Sequence, residues 1–120
     1  MSSYKINNQW IELKELEDLL LSSKTIELGA EARAAIAKCR QYLDDKMANH
    51  DQLIYGINTG FGSLCNTAIS FEDLGLLQYN LVVSHACGTG EEVPAELVKR
   101  MLLLKIIGLS HGNSGVQVAT

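Results

Sequence analysis

Residues 55–62 read YGINTGFG, and this stretch is the most informative part of the 120-residue chain. Its glycines, Gly56, Gly60 and Gly62, allow tight backbone turns and the close approach of a bound group. They directly follow Tyr55, whose side chain combines an acid–base hydroxyl with a large apolar ring. On pattern alone, a loop that only turns sharply explains the same glycines, so both interpretations stay open at this point.

Two common phosphate-binding patterns do not fit these glycines. A P-loop requires a lysine directly after its last glycine, and no lysine follows Gly60 or Gly62. A dinucleotide fingerprint requires Gly-x-Gly-x-x-Gly, but Cys65 stands at the third glycine position after Gly60, and Val93 stands there after Gly88. The loop therefore predicts no nucleotide site of either kind.

Composition and charge are typical of a soluble enzyme. Hydrophobic residues make up 47% of the chain, the net charge is −4, and the ten Lys and Arg residues are scattered, which argues against a nucleic-acid partner. The start of the chain leads to no signal-peptide core, and no apolar run approaches the ~18 residues that span a membrane. An odd number of cysteines without Cys-x-x-Cys spacing indicates reduced thiols, so we expect a cytoplasmic protein.

Hydrophobic periodicity predicts a mainly α chain with short β-strands near its start. Residues 4–6 and 25–28 resemble strands that pair around a helix over residues 12–21. A longer helix is predicted over residues 30–47. The face of the first helix that is expected to be buried carries Leu13, Leu16, Leu19 and Leu20.

Two further helices are marked by their ends. One is expected to begin at a Ser70–Asp73 capping box and to stop near Gly88. It carries an apolar stripe, Leu74, Leu77 and Leu81, that continues to His85. The next helix has Pro94 in its first turn. Residues 101–107 of that helix are apolar nearly all round, so we expect it to be buried from several sides within a larger helical assembly.

Three blocks of the sequence resemble the aromatic amino acid ammonia-lyase family in the order and spacing of that family. They are YGINTGFG at residues 55–62, LQYNLVVSHACG at residues 77–88, and MLLLKIIGL at residues 101–109 with SGV at residues 114–116. Together they cover nearly the whole chain. Two positions depart from the family pattern, with Ile107 in place of an asparagine and His111 in place of an arginine. These departures bear on the packing of the last helix more than on the chemistry.

The resemblance implies a chemical role for Tyr55. Members of the family use the matching tyrosine as the base that removes a β-proton, while an electrophilic methylidene-imidazolone (MIO) makes the substrate amine a leaving group. Because a phenol is poorly ionised at neutral pH, the backbone amides of a glycine-rich turn are suitable donors to the anionic base. Family members form MIO from an internal Ala-Ser-Gly segment, which this chain does not contain.

The resemblance also implies that His85 and Gly62 contribute to the substrate site. The dipeptide Ser84-His85 is similar to that of histidine-specific members, whereas tyrosine-type members tend to carry His-Leu and phenylalanine-type members Phe-Leu. A neutral imidazole offers one donor and one acceptor, which matches an imidazole substrate. On pattern alone, a lone histidine on an apolar stripe is more often structural. The chain's histidines, His50, His85 and His111, share no metal-ligand spacing, so no metal is predicted.

The sequence thus predicts that residues 1–120 are a single, partial N-terminal domain of a longer lyase, most like a histidine ammonia-lyase. The resemblance implies L-histidine as substrate and a homotetramer in the full-length form. The scattered basic residues and the lack of a long apolar run predict neither a nucleic-acid nor a membrane partner. Without an Ala-Ser-Gly segment, the chain alone is expected to be inactive. A tyrosine ammonia-lyase or aminomutase of the same family remains an alternative, as does a non-catalytic helical interaction module.

Overall fold

The computed structural model describes residues 2–48 and 52–120, which form two compact units. One unit contains residues 2–48 and 93–120, and the other contains residues 52–92. His50, one of the three histidines considered above, lies outside the described residues. Within the described ranges, every helix is too short or too polar to cross a membrane.

The first unit begins with a strand–helix–strand element. Strand β1 (Ser3–Ile6) and strand β2 (Thr25–Leu28) pair in parallel along four residues, and helix α1 (Leu13–Leu21) connects them. A parallel pair needs a crossover because the chain must return to the same end of the sheet, and α1 supplies it. The predicted strands and their pairing around a helix are confirmed.

Two longer helices complete this unit. Helix α2 (Ala30–Ala48) agrees with the predicted helix to within one residue, and helix α4 (Ala95–Ser110) begins directly after Pro94. Proline is suited to this position because the first helical residues need no N–H partner within the helix. Gly112, just after α4, has a φ of 70°, and a Cβ there would lie 2.6 Å from the backbone of Ala35 in α2. Glycine therefore allows the end of α4 to lie directly against α2.

The core of this unit is small and joins β1, α1 and α4. Its buried members are Ile6, Leu16, Leu19, Leu103 and Ile107. Ile107, where the family pattern has asparagine, thus contributes apolar area to the core. The prediction that Leu13 lies on the buried face of α1 is wrong, since its side chain is 83% exposed at the first turn of that helix.

Helix α4 has one face that is buried against other described residues. Leu103 and Ile107, four residues apart, point into the core. The four remaining apolar side chains of residues 101–107 are all exposed: Met101, Leu102, Leu104 and Ile106. The described residues therefore do not bury this helix from several sides, as expected for a helix that belongs to a larger helical assembly.

The second unit contains the glycine loop and helix α3 (Leu74–His85). Before α3, Ser70 forms the predicted capping interaction, with its Oγ accepting from the N–H of Asp73 at 3.3 Å and donating to the Asp73 carboxylate at 2.6 Å. A short 3-10 turn, Phe71–Asp73, separates this cap from the α-helix. The predicted stop at Gly88 is wrong, because α3 ends at His85, where the backbone of Ala86 leaves the helical region.

Candidate functional site

The glycine loop is held from within by the side chain of Asn58. Its Oδ1 accepts the N–H of Ile54 at 2.7 Å, and its Nδ2 donates to the carbonyl of Gln52 at 3.0 Å. The carbonyl of Ile54 in turn accepts the N–H groups of Ile57 and Asn58. A short amide side chain can replace missing backbone partners in this way, so the turn that carries Tyr55 is braced from both sides.

Thr59 anchors the other end of the turn. Its side chain is fully buried, and its Oγ1 accepts the N–H of Gly56 at 3.3 Å while donating to the carbonyl of Gly60 at 2.9 Å. Thr59 also forms an antiparallel bridge with Ala68, next to which the N–H of Gly60 donates to the carbonyl of Thr67 at 3.1 Å. The loop is therefore a folded unit with a satisfied interior.

The three glycines of the stretch meet two local requirements, a left-handed backbone at Gly56 and Gly62 and a close contact at Gly60. Gly56 and Gly62 have φ values of 75° and 57°, in the left-handed region that disfavours side chains. Gly60 has no such φ, but a Cβ there would lie 2.6 Å from the Cβ of Leu64. Around Gly62 no heavy atom lies within 4 Å of the missing Cβ, which leaves open space beside the backbone of this predicted substrate-binding residue.

Tyr55 projects from the braced turn with its hydroxyl available. Its ring meets that of Phe61 edge to face, with centroids 5.9 Å apart and an interplanar angle of 71°. This geometry is favourable for an aromatic pair and restricts where the phenol points. The side chain is 63% exposed, and its hydroxyl forms no hydrogen bond with any other described residue. A free phenol on a rigid turn is able to exchange a proton with an external molecule.

Other tyrosines of the chain differ from Tyr55 in their surroundings. The hydroxyl of Tyr4 donates to Glu15 at 3.0 Å, and burial, followed by this hydrogen bond, raises the pKa of Tyr4. The ring of Tyr42 lies beneath the ammonium of Lys46, 5.1 Å from its centroid. Both side chains thus interact with a charged side chain of their own unit.

His85 is the last residue of α3, and its ring is tied back to that helix. Its Nδ1 lies 2.9 Å from the carbonyl oxygen of Leu81 and 3.0 Å from Oγ of Ser84. The Ser84 hydroxyl also donates to the Leu81 carbonyl at 3.1 Å. Leu74, Leu77 and Leu81 are half-buried as the predicted stripe requires, whereas His85 at the end of that stripe is exposed. The ring is therefore fixed on one side and open on the other.

The predicted site residues fall into two clusters within the second unit. Tyr55 and Gly62 share the loop formed by residues 52–69, whereas the side-chain hydrogen bonds of His85 lie within α3. No hydrogen bond between described residues joins the two clusters. Across the described ranges, no group of three His, Cys, Asp or Glu side chains is arranged to hold a metal ion.

Sequence reasoning missed the residues that brace the site. Asn58 and Thr59 belong to residues 55–62, but the spacing of the glycines does not indicate which side chains brace the loop. Asx chemistry, in which Asn accepts a nearby backbone N–H in a turn, is the signal that identifies Asn58. Ser84 was noted only as part of a dipeptide, although a serine directly before a helix-terminal histidine can reach the imidazole.

Replacing Asn58 with alanine is expected to loosen the turn that presents Tyr55. The part-buried N–H of Ile54 would lose its partner, which costs about 1 kcal/mol, the lower end of the range for an unsatisfied buried donor. Amide hydrogen exchange over residues 54–60 should therefore accelerate about five- to tenfold. Asn66→Ala is the matched control, because the Asn66 side chain is exposed and without a hydrogen bond to other described residues. Equal exchange rates in the two variants would contradict the bracing role of Asn58.

Comparison with known families identifies the class of protein. The model of the aromatic amino acid lyase family matches residues 11–120, and the chain belongs to this family. Curated relatives narrow the similarity to enzymes acting on histidine. The chain is 44% identical over 108 residues to histidine ammonia-lyase of Deinococcus radiodurans, covering 90% of this chain and 20% of that protein. It is 42% identical over 117 residues to the enzyme of Idiomarina loihiensis, covering 98% of this chain and 23% of that protein.

Solved structures confirm the predicted fold class. Histidine ammonia-lyase from Trypanosoma cruzi is similar with a TM-score of 0.77 and 34% identity, over 96% of this chain and 22% of that one. Pantoea agglomerans phenylalanine aminomutase has a TM-score of 0.86 at 24% identity, over 99% of this chain and 23% of that one, a likeness of fold alone. The chain spans about a fifth of the length of the relatives it matches.

Proposed function

We propose that this chain is the N-terminal part of a histidine ammonia-lyase, which eliminates ammonia from L-histidine to give urocanate. The observation that carries the proposal is the exposed Tyr55 hydroxyl, free of partners among the described residues and held on a turn that Asn58 and Thr59 brace. Curated relatives that are 44% and 42% identical over about nine-tenths or more of the chain are histidine ammonia-lyases, which favours histidine over tyrosine as substrate.

In this proposal Tyr55 is the base of the reaction. Its phenolate accepts the β-proton of the substrate, and the electrons of the broken C–H bond form the double bond as ammonia leaves. Contact with Phe61 keeps the phenol ring oriented, and the left-handed backbone at Gly62 leaves room for the substrate beside the loop. A proton-transfer group positioned in this way contributes about 10²- to 10⁴-fold to the rate.

His85 would bind the imidazole ring of the substrate. Its ring is fixed to α3 through Nδ1 and is otherwise exposed, so its second nitrogen is available for an external hydrogen bond. The methylidene-imidazolone group, when bound, supplies the electrophile that makes the amine a leaving group. The sequence of this chain has no Ala-Ser-Gly to form that group, so another part of the full-length enzyme would supply the electrophile. The exposed hydroxyl of Tyr55 is accessible to a substrate bound to that group.

The wider setting belongs to the same proposal. Residues 1–120 would be one part of a single larger domain, in an enzyme that works as a cytoplasmic homotetramer. Exposed apolar side chains along α4 support burial against further helices, since apolar area of this kind is seldom left in water. Unpaired thiols at Cys39, Cys65 and Cys87 support a reducing compartment.

The decisive experiment compares this chain with the full-length protein on L-histidine. The full-length protein should release ammonia and urocanate in equal amounts, and the chain alone should release neither, because Tyr55 and His85 cannot make an amine a leaving group. L-Tyrosine serves as the competing substrate. Preferred turnover of tyrosine by the full-length protein would replace the proposal with the tyrosine-type alternative, and inactivity on every aromatic amino acid would favour a non-catalytic module.

A further inference from the structure

We propose that Ser84 is a positioning residue that holds His85 in its Nδ1–H tautomer, so that the lone pair of Nε2 faces the substrate as a hydrogen-bond acceptor. The proposal rests on the function proposed above, in which His85 meets the substrate ring. It adds that Nε2 is the nitrogen that contacts the substrate ring, that this nitrogen accepts a hydrogen bond, and that Ser84 sets the tautomer.

The geometry around Nδ1 fixes the proton. A carbonyl oxygen carries no hydrogen, so the 2.9 Å contact between Nδ1 of His85 and the oxygen of Leu81 is a hydrogen bond only if Nδ1 donates. The Ser84 hydroxyl donates its own hydrogen to the same carbonyl, at 3.1 Å. Its oxygen, 3.0 Å from Nδ1, is therefore left as a second acceptor for the Nδ1 proton.

A neutral imidazole with a proton on Nδ1 has none on Nε2. The hydrogen bonds to Leu81 and Ser84 both involve Nδ1, whereas Nε2 of the exposed His85 has no hydrogen-bond partner among the described residues. Nε2 can then only accept a hydrogen bond, so the ligand ring must supply an N–H donor. The substrate class that fits is an amino acid whose ring carries an N–H, and a ring of equal size without a donor leaves Nε2 unpaired.

Kinetics of Ser84→Ala in the full-length enzyme test the positioning role. Thienylalanine, an amino acid whose five-membered ring has no N–H, is the matched probe, measured as substrate or competitive inhibitor. Ser84→Ala should raise KM for histidine about three- to tenfold with little change in kcat, because one of two acceptors of the Nδ1 proton is lost. Its affinity for thienylalanine should stay unchanged, and Ser84→Thr, which keeps the hydroxyl, should restore KM for histidine.

Nitrogen-15 NMR of the full-length protein with labelled imidazoles tests the tautomer directly, with the His85 signals assigned by their loss in His85→Gln. A proton on Nδ1 and none on Nε2 at neutral pH is the expected result. The opposite tautomer, or an equal effect of Ser84→Ala on histidine and thienylalanine, would overturn the proposal. Failure of the proposed function is distinct, since it is a lack of histidine turnover by the wild-type protein, and the NMR measurement decides the tautomer in either case.

Discussion

Replacing Tyr55 with phenylalanine in the full-length enzyme is expected to lower kcat for histidine by about 10²- to 10⁴-fold, the contribution of a well-placed proton-transfer group. The change removes one oxygen and keeps the ring, so the edge-to-face contact with Phe61 should persist. The hydroxyl has no hydrogen-bond partner among the described residues, so its removal strands no other polar group there. Steady-state kinetics measure the loss of kcat, and the thermal midpoint of unfolding shows whether the fold is retained.

Tyr79→Phe is the matched control for this experiment. Tyr79 lies on α3 in the same unit, and its side chain is 66% exposed, close to the 63% of Tyr55. The same oxygen is removed from a similar environment, but no chemistry is assigned to it. If both variants kept near-normal kcat, Tyr55 would return to the role of an ordinary surface tyrosine, and the base would have to be sought elsewhere.

The fold was predictable where local pattern and packing agree. Hydrophobic periodicity predicted β1, β2 and α2 closely, because each of these segments has a pattern of its own. The predicted burial of Leu13 was wrong because this residue lies in the first turn of α1. The apolar pattern of the helix extends to it, but no neighbouring element described in the unit covers its side chain. The predicted helix end at Gly88 was wrong because α3 ends three residues earlier, at His85, whose side chain forms a hydrogen bond with the helix backbone. Periodicity does not report such contacts.

The candidate site was predictable only in part. The glycines indicated the position of the loop, because glycine is the residue that most readily adopts the positive φ found at Gly56 and Gly62. The bracing by Asn58 and Thr59 depends on contacts across the turn, which a count of glycines does not contain. The roles of Tyr55 and His85 came from family resemblance, and they stay predictions until the variants are measured.

Replacing His85 with leucine is expected to lower kcat/KM for histidine about 10- to 100-fold, because the substrate ring would leave water without regaining a hydrogen bond. Activity toward phenylalanine, whose ring has no polar atom to satisfy, should fall less or rise. The exposed position of His85 at the end of α3 means that the exchange leaves the half-buried stripe of that helix intact. The ratio of kcat/KM for the two substrates is therefore the informative quantity.

His111→Leu is the control for the loss of an imidazole. The His111 ring packs against Trp10, with centroids 5.5 Å apart, in the first unit, whereas α3 belongs to the second. This variant should change stability through lost ring packing while leaving the histidine-to-phenylalanine ratio at the wild-type value. An equal loss for every substrate in His85→Leu would make His85 a structural residue. The distinction is physical, because a ring that only caps a helix supports all substrates alike, whereas a ring that accepts a substrate N–H supports only the substrate that has one.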